Sequence, residues 1–318
     1  MAKFRDSTPD FQAFDAEPVG RPVPAPPPHI ASAEAGPGDA VHDRSIGDII
    51  AELRNLTADQ VAKVLQQQQS TGVRFGEAAV ALGLASKDDV LFALSQQFHY
   101  PYAPEEQRKL SPELVALNEP FSARAESFRV LRSQLMMRVF MEGEPHRALA
   151  VISADDGDGK TYTAANLAIT LAQLGGRTLL VDGDMRNPRV HDVFRVANQT
   201  GLSGILSGRA DKQVIKQVPG ISSLMLLPVG TIPPNPLELV ERPAFGLLMR
   251  ELASKFDHVI VDTPAAAFGA DAAVIAAKCG SALVVARKNR SSTQALRELV
   301  GSLQGAPVKL AGVVYNEH

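Results

Sequence analysis

Six short apolar runs follow one another between residue 147 and the end of the chain, and longer stretches with helical spacing separate them. The runs show little alternation of polar and apolar side chains. Strands covered on both faces look like this, so the pattern predicts a mostly parallel sheet with helices on each side. The segment 147–318 is therefore predicted to be a doubly wound α/β domain. The runs are RALAVIS, RTLLVDGD, SSLMLLPVG, DHVIVDTP, SALVVAR and VKLAGVVYN.

A second pattern, helical throughout, precedes this domain and repeats itself. The segment 46–68 aligns without gaps to 75–97, and seven of the 23 aligned pairs are identical. Thr57 and Ser86 occupy equivalent positions as helix N-caps. Each copy predicts a helix, a short turn and a helix. Two copies can bury their apolar faces against each other, which predicts a small all-helical domain at 44–103.

Two further segments complete the organisation. Residues 1–43 contain eight of the 22 prolines, and such a composition predicts a disordered tail. Residues 104–146 contain a linker followed by an amphipathic helix, SARAESFRVLRSQLMMRVFM.

Composition narrows the class of protein. The net charge of −3 gives no reason to expect a nucleic-acid partner. The single cysteine, Cys279, excludes an internal disulfide framework and is typical of a reducing compartment. No apolar run approaches the roughly 20 residues needed to cross a bilayer, and the N-terminus has no signal-peptide core. We expect a cytoplasmic protein that reaches the inner membrane through a partner.

The segment ISADDGDGKTYTAANLA, residues 152–168, has the features of a phosphate-binding loop. It follows a predicted strand and precedes a predicted helix, which is the context a P-loop requires. Alanine stands at the first glycine position, but Gly157 and Gly159 allow backbone N–H groups to turn inward around phosphate oxygens. We expect Lys160 to reach the β- and γ-phosphates and Thr161 to ligate Mg²⁺.

Three acids follow predicted strands and are expected beside this loop. Asp182 and Asp184 end one strand, and Asp262 ends another. Each alone is compatible with a turn or a helix cap. Because parallel strands end at the same edge of a sheet, the three together predict a site that binds Mg²⁺ and activates a hydroxyl group or water.

The motifs ADDGDGKT, LLVDGDMRNP and VIVDTP together resemble those of bacterial tyrosine kinases (BY-kinases) of capsule and exopolysaccharide synthesis. GLSGILSG (201–208) and LPVGTIPPNPLELV (227–240) resemble further stretches of this family, and the resemblance covers about 120–316. The partition and cell-division ATPases are the nearest alternative family, but their loop carries a signature lysine where this chain has Asp155. The resemblance implies a P-loop NTPase fold and an ATP-dependent protein tyrosine (auto)kinase that regulates exopolysaccharide chain length, polymerisation or export.

The resemblance also implies roles for individual residues. Lys160, Asp182, Asp184 and Asp262 would be catalytic, with Asp182 activating the attacking tyrosine hydroxyl. Thr161, Asp182 and Asp262 would hold Mg²⁺. Asn316 matches a family asparagine near the adenine base. The residues expected to bind ATP are Asp156, Gly157, Asp158, Gly159, Lys160, Thr161, Tyr162 and Asn316.

Glu126, Arg129 and Arg132 match the family's oligomerisation motif. Their spacing also allows Glu126 and Arg129 to pair within one helix. The resemblance instead implies contacts across subunits of a homo-oligomeric ring. It further implies an activating partner, a separate transmembrane polysaccharide co-polymerase or chain-length determinant.

The phosphoacceptor is the point at which the sequence departs from the family. Members carry a tyrosine-rich C-terminal tail, whereas this sequence has four tyrosines and no such cluster. Tyr162 is expected in the first turn after the P-loop and Tyr315 in a buried strand, which leaves Tyr100 and Tyr102 as candidate acceptors. The alternative function is an ATP-switched assembly factor on a membrane polysaccharide co-polymerase, with little or no tyrosine transfer.

The helical repeats resemble the N-terminal domain of type II secretion and pilus-assembly ATPases, some of which bind cyclic di-GMP. The second copy keeps the arginine of the family motif, Arg74, whereas the first copy has Ser45. We expect a protein-docking module, with Arg74 as the candidate contact to cyclic di-GMP.

Overall fold

A computed structural model of the chain describes residues 45–97, 110–141, 143, 146–209 and 214–317. The predicted tail at 1–43 and the candidate acceptors Tyr100 and Tyr102 lie outside these residues. Within the described ranges, no helix is long and apolar enough to cross a membrane.

The predicted helix-turn-helix pattern of each repeat is confirmed. Thr57 and Ser86 cap their helices as expected: Gln60 N–H donates to Thr57 Oγ1 at 3.3 Å, and Asp89 N–H donates to Ser86 Oγ at 3.1 Å. The domain boundaries stay predictions. The four helices are α1 (Ile46–Leu53), α2 (Ala58–Thr71), α3 (Phe75–Ala81) and α4 (Lys87–Gln97).

An ion pair joins the two copies. Arg54, at the end of α1, donates from Nε to Asp89 Oδ2 in α4 at 2.7 Å. Burial pushes the pKa of Asp89 upward, but the hydrogen bonds from Arg54 and Ser86 outweigh it and hold the pKa below its ordinary value. The carboxylate therefore stays charged and links the repeats.

Equivalent glycines in the two copies predict opposite responses to alanine. A Cβ on Gly76 would lie 2.8 Å from Cγ1 of Val90, whose branched side chain has little rotamer freedom. A Cβ on Gly47 would meet the Phe75 ring at an ordinary 3.6 Å. We expect Gly76→Ala to destabilise the helical part by about 1–3 kcal/mol, and Gly47→Ala to be neutral or to stabilise it by up to about 1 kcal/mol.

Hydrogen–deuterium exchange of α3 and α4 measures this difference locally. Faster exchange in the Gly76 variant alone is the expected result. Equal exchange in both variants would show that α3 and α4 do not pack as closely as described.

The α/β domain contains a seven-stranded sheet. The strands are β1 (Ala148–Ser153), β2 (Thr178–Asp182), β3 (Lys216–Gln217), β4 (Leu224–Leu227), β5 (His258–Asp262), β6 (Gly280–Arg287) and β7 (Lys309–Asn316). The strand order is β3-β4-β2-β5-β1-β6-β7, and every neighbouring pair is parallel except β3 and β4. The six predicted strands and the doubly wound class are confirmed; β3 was not predicted, because two residues show no pattern.

Helices cover both faces of this sheet. Strand β1 shows how: Leu149 and Val151 contribute to one apolar cluster, whereas Ala150 and Ile152 contribute to the other. The central strands are therefore buried on both faces, as their apolar runs predict. The helices of this domain are α5 (Val115–Asn118), α6 (Ala123–Met136), α7 (Lys160–Ala172), α8 (Val190–Phe194), α9 (Leu202–Leu206), α10 (Pro236–Glu241), α11 (Pro243–Lys255), α12 (Asp271–Cys279) and α13 (Thr293–Leu303).

The prediction that Tyr315 is buried was wrong. Strand β7 forms one edge of the sheet. Val314 packs against the same apolar cluster as α6 and α7, but Val313 and Tyr315 point the opposite way and are 58% and 60% exposed. The apolar run of β7 resembles that of a central strand, although only one of its faces is covered.

Candidate active site

The phosphate-binding loop connects β1 to α7, as predicted. Gly157 and Gly159 have φ angles of +75° and +98°, in the left-handed region that favours glycine. Gly159 is also the N-cap of α7, so the loop leads directly into a helix N-terminus. The arrangement presents backbone N–H groups where a phosphate group binds.

Asp158 stabilises the loop through hydrogen bonds. Its carboxylate is fully buried and accepts hydrogen bonds from Asp155 N–H (3.2 Å) and from the Ser291 hydroxyl (2.8 Å). Its carbonyl oxygen accepts from Nδ2 of Asn316 at 3.0 Å. The Asp158 side chain and carbonyl oxygen are thus used within the protein, and its backbone N–H is the part left for a nucleotide.

The three acids assemble at the edge of the sheet beside the loop. Asp182 and Asp262 end neighbouring parallel strands and are register partners. The Thr161 hydroxyl donates to Asp262 Oδ2 at 2.6 Å. Asp182 is fully buried and accepts from Asp184 N–H (3.2 Å) and Val190 N–H (3.1 Å). The hydroxyl and the carboxylates predicted to organise a cation therefore converge on one point.

Asp184 sits in a tight turn just past β2. Its Oδ1 accepts from Arg186 N–H (3.1 Å) and Asn187 N–H (2.9 Å). The Arg186 side chain forms a bidentate pair with Asp271 at the start of α12, at 3.0 and 3.2 Å. Asp184 retains some exposed surface, which Asp182 does not.

Comparison with known proteins decides between the two families considered from the sequence. Residues 149–318, more than half of the chain, match the CobQ/CobB/MinD/ParA nucleotide binding domain. The putative tyrosine-protein kinase CapB of Staphylococcus aureus is 32% identical over 209 residues, which are 65% of this chain and 90% of CapB. This chain belongs to the bacterial tyrosine-protein kinase family.

Further relatives of the family differ in length. The putative tyrosine-protein kinase EpsB of Ralstonia solanacearum is 36% identical over 212 residues, which cover 66% of this chain but only 28% of EpsB. The kinase domain of the Escherichia coli tyrosine kinase ETK has a TM-score of 0.62 and 31% identity, covering 66% of this chain and 81% of that domain. The chain thus spans most of the shorter members and about a quarter of the longer one.

The carboxylates of this site repel one another. Burial, with the charges of Asp262 and Asp184, raises the pKa of Asp182 well above its ordinary value. Burial also raises the pKa of Asp262 to about 7, although the Thr161 hydrogen bond and the Lys160 charge oppose this. A divalent cation at this point would offset the repulsion, so the residues fit Mg²⁺.

Thr161 and Asp262 would be the protein ligands of this cation. Within the described part of the chain, no group of three or more His, Cys, Asp or Glu side chains is arranged to hold a metal by itself. Mg²⁺ is usually held by one or two carboxylates together with substrate phosphates rather than by an all-protein cage. Thr161 and Asp262 are the pair positioned to contribute.

The raised pKa values predict how stability depends on pH. An unfolded aspartate has a pKa of about 4, whereas that of Asp262 in the folded protein is about 7. Between these values the folded protein keeps a proton that the unfolded chain has lost. The free energy of unfolding should therefore fall as pH rises from about 4 to about 7, by up to about 1.4 kcal/mol per pH unit for such a group. Urea unfolding at several pH values, with divalent cations chelated, measures this.

Asp262→Asn is the matched variant, because an amide can still accept from Thr263 N–H and donate to the Thr161 hydroxyl. In this variant the free energy of unfolding should depend less on pH. In the wild type, Mg²⁺ with nucleotide should also reduce that pH dependence. Stability that rises through the same window would contradict the described burial of the acids.

The opposite side of the loop carries residues that the sequence did not indicate as functional. Arg287, at the end of β6, donates from Nη1 to Gly157 O at 2.9 Å. The Arg290 guanidinium packs over Gly157, with Nη1 2.9 Å from the position of a Cβ there. Ser291 holds Asp158 as described above. The polar run RKNRSS after an apolar strand was the available signal, because that strand ends at the same edge as β1.

A cavity of about 190 Å³ lies beside Asn316. Phe128 of α6 and Tyr162 of α7 line it, with their rings edge to face at 5.6 Å between centroids. Burial raises the pKa of the Tyr162 hydroxyl. The half-buried Tyr162 is therefore a wall of this cavity, as expected for a residue in the first turn of α7.

Glu126, Arg129 and Arg132 have partners within the chain. Arg129 Nη1 pairs with Glu126 Oε2 at 2.7 Å, and its Nη2 donates to the carbonyl oxygen of Pro120. Arg132 Nη1 donates to Thr170 O at 2.8 Å. The ring interface stays a prediction, in which Glu126 would have to exchange its partner.

Arg74 is exposed at the start of α3, where its backbone N–H donates to Glu77 Oε2 at 3.1 Å. Binding of cyclic di-GMP at this arginine stays a prediction.

Proposed function

We propose that this chain is an ATP-dependent protein tyrosine kinase of the P-loop type. The convergence of Thr161, Asp182 and Asp262 beside the phosphate-binding loop carries the proposal. Phosphoryl transfer needs positioning and charge neutralisation more than covalent chemistry, and this arrangement supplies both. The similarity to proteins named tyrosine kinases, together with Asp155 at the signature lysine position, favours this function over a partition-type assembly switch.

The phosphates of ATP would be held by the loop amides of Asp156, Gly157, Asp158 and Gly159 and by Lys160. Thr161 and Asp262, with Asp182 close by, would hold Mg²⁺. When bound, the cation would neutralise charge that develops between the β- and γ-phosphates.

Asp182 would accept the proton of the attacking tyrosine hydroxyl. Burial and the charges of Asp262 and Asp184 raise its pKa, which makes this carboxylate a stronger proton acceptor than an ordinary aspartate. Asp184, next to it and 8% exposed, would orient the acceptor or the phosphate. Burial raises the pKa of Asp184 and the charge of Lys160 opposes that rise, so the two groups lie close enough to interact.

The nucleobase would lie on the other side of the loop. Strands β5 and β2 place the acids on one side of β1, whereas β6 and β7 place Arg290 and Asn316 on the other. A nucleotide whose γ-phosphate faces the acids therefore extends its base toward the cavity beside Asn316 and Tyr162. Arg290 could stack on the base from above Gly157.

We place this activity in capsule or exopolysaccharide synthesis, in the cytoplasm at the inner membrane. A separate transmembrane polysaccharide co-polymerase would be the activator, and Glu126, Arg129 and Arg132 would contribute to a homo-oligomeric ring. The sequence resemblance to BY-kinases supports these assignments.

Incubation with γ-labelled ATP and Mg²⁺, followed by phosphoamino-acid analysis, tests the proposal. Label on phosphotyrosine is expected. Label released only as free phosphate would favour a nucleotide-switched assembly factor instead.

A further inference from the structure

A second cavity lies at the same edge of the sheet as the phosphate site. It has a volume of about 330 Å³ and is formed by Ser207 and Arg209, by the segment 231–235 that follows β4, and by Leu239 and Arg242. These residues belong to or adjoin the stretches 201–208 and 227–240, which the sequence marked as family features. No step of phosphate binding described above uses them.

Hydrogen bonds between the two stretches hold the walls of this cavity. Leu202 N–H donates to Pro228 O at 2.8 Å, and Ser203 N–H donates to Val229 O at 2.9 Å. The Ser203 hydroxyl also donates to Thr231 O at 2.6 Å. A cavity built on such cross-links is preorganised, so a ligand need not order it on binding.

Two positive charges line the described part of the cavity. Arg209 and Arg242 are among its lining residues, and no Asp or Glu of the described ranges is. Arg242 Nη1 donates to Leu206 O at 3.4 Å, whereas the Arg209 guanidinium has no hydrogen-bond or ion-pair partner among the described residues. Guanidinium groups match the geometry of carboxylates, so the cavity fits an acidic peptide.

The distance from the cavity to the proposed catalytic acids sets the spacing between the target tyrosine and the acidic residues of such a peptide. Strand β4 lies next to β2, which ends at Asp182, and β2 lies next to β5, which ends at Asp262. One or two inter-strand spacings amount to about 5–10 Å. An extended peptide advances about 3.4 Å per residue, so acids about three residues from the target tyrosine would reach the cavity.

One tyrosine of this chain meets that condition with two acids. Tyr102 is followed by Glu105 and Glu106, at positions +3 and +4. Tyr100, Tyr162 and Tyr315 have no acid at these positions.

The segment that carries Tyr102 also joins the described structure near the site. It ends at Leu110, and the next residue, Ser111, donates its N–H to Val193 O in α8 at 3.1 Å. The N–H of Val190, at the start of α8, donates to Asp182. Ser111, nine residues after Tyr102, is therefore one short helix away from the proposed catalytic acid.

We propose that this cavity is the docking site for the acidic flank of the phosphoacceptor, and that its occupant is this chain's own Tyr102–Glu106 segment. Arg209 and Arg242 pair with Glu105 and Glu106, which presents the Tyr102 hydroxyl to the γ-phosphate. The Tyr102 oxygen bonds to the γ-phosphorus, the bond from that phosphorus to the bridging oxygen of ADP breaks, and the phenolic proton passes to Asp182. This docking role rests on the proposed kinase function.

Charge reversal in the full-length protein tests the docking. The rate of phosphorylation at Tyr102, measured by mass spectrometry with Mg²⁺ and ATP, should fall about tenfold in Arg209→Glu and in the double variant Glu105→Arg, Glu106→Arg. Combining the three substitutions should restore part of the rate, because the pairing is then re-formed with reversed charges. Arg250→Glu, an exposed arginine on α11 outside the cavity, is the matched control and should leave the rate unchanged.

The outcomes separate the docking from the kinase activity. Phosphotyrosine that forms in wild type but not at Tyr102, or single variants that keep the wild-type rate at Tyr102, would overturn the docking proposal and leave the kinase intact. If the rate at Tyr102 in the combined variant falls by the sum of the separate losses, with no restoration, the docking proposal is also overturned. Absence of phosphotyrosine at every position in wild type would instead remove the kinase function on which docking rests.

Discussion

Lys160→Ala is expected to lower the rate of tyrosine phosphorylation by at least about 100-fold and to weaken ATP binding. Lys160 begins α7 and is almost completely buried between the phosphate-binding loop and the acids. Its charge acts on both Asp184 and Asp262. Without it, the phosphates of ATP would face the acidic site with no protein cation close to the β- and γ-phosphates.

Calorimetric titration with ATP and Mg²⁺, alongside the rate of phosphotyrosine formation, measures both effects. Lys255→Ala is the control, because Lys255 pairs with Glu251 on the outside of α11. Wild-type ATP affinity in the Lys160 variant would contradict the position assigned to the phosphates.

Asp182→Asn is expected to slow phosphoryl transfer to tyrosine while leaving ATP binding largely intact. The amide keeps the size of the side chain but cannot accept the phenolic proton, so the transfer rate should fall by about 10²–10⁴-fold. ATP affinity should stay within a few-fold of wild type or increase, because one of the three mutually repelling carboxylates is removed. The largest effect is therefore on kcat.

The rate and the affinity must be measured on the same samples, since Asp182 also accepts N–H groups from Asp184 and Val190. Asp257→Asn, at the far end of β5 where Asp257 accepts from Arg177 N–H, is the matched control. Equal losses in affinity and rate would indicate that Asp182 serves the fold or the nucleotide rather than proton transfer.

Much of the fold could be predicted because local sequence patterns determine it. The apolar runs identify six strands, and the loop ADDGDGKT identifies the first strand-loop-helix unit without further information. The acids Asp182 and Asp262 could be assigned to one edge because parallel strands end together. Their register pairing and the hydrogen bond from Thr161 confirm that they converge.

The remaining features depend on which strands are neighbours. The hydrogen bond from Ser291 to Asp158 joins residues 133 positions apart, and it exists because β6 lies beside β1. The exposed position of Tyr315 follows from the place of β7 at the edge of the sheet. Neither the order of strands nor the edge position leaves a signal in the run of apolar residues itself.

The central claim is that the γ-phosphate of ATP passes to tyrosine at the site formed by Lys160, Asp182 and Asp262. The most direct test is the time course of phosphotyrosine formation in the wild-type chain with γ-labelled ATP and Mg²⁺, with Lys160→Ala as the blank. The account predicts label that accumulates on tyrosine, saturates with ATP and is absent from the blank. A wild-type protein that binds ATP with Mg²⁺ and yet puts no label on tyrosine would contradict it.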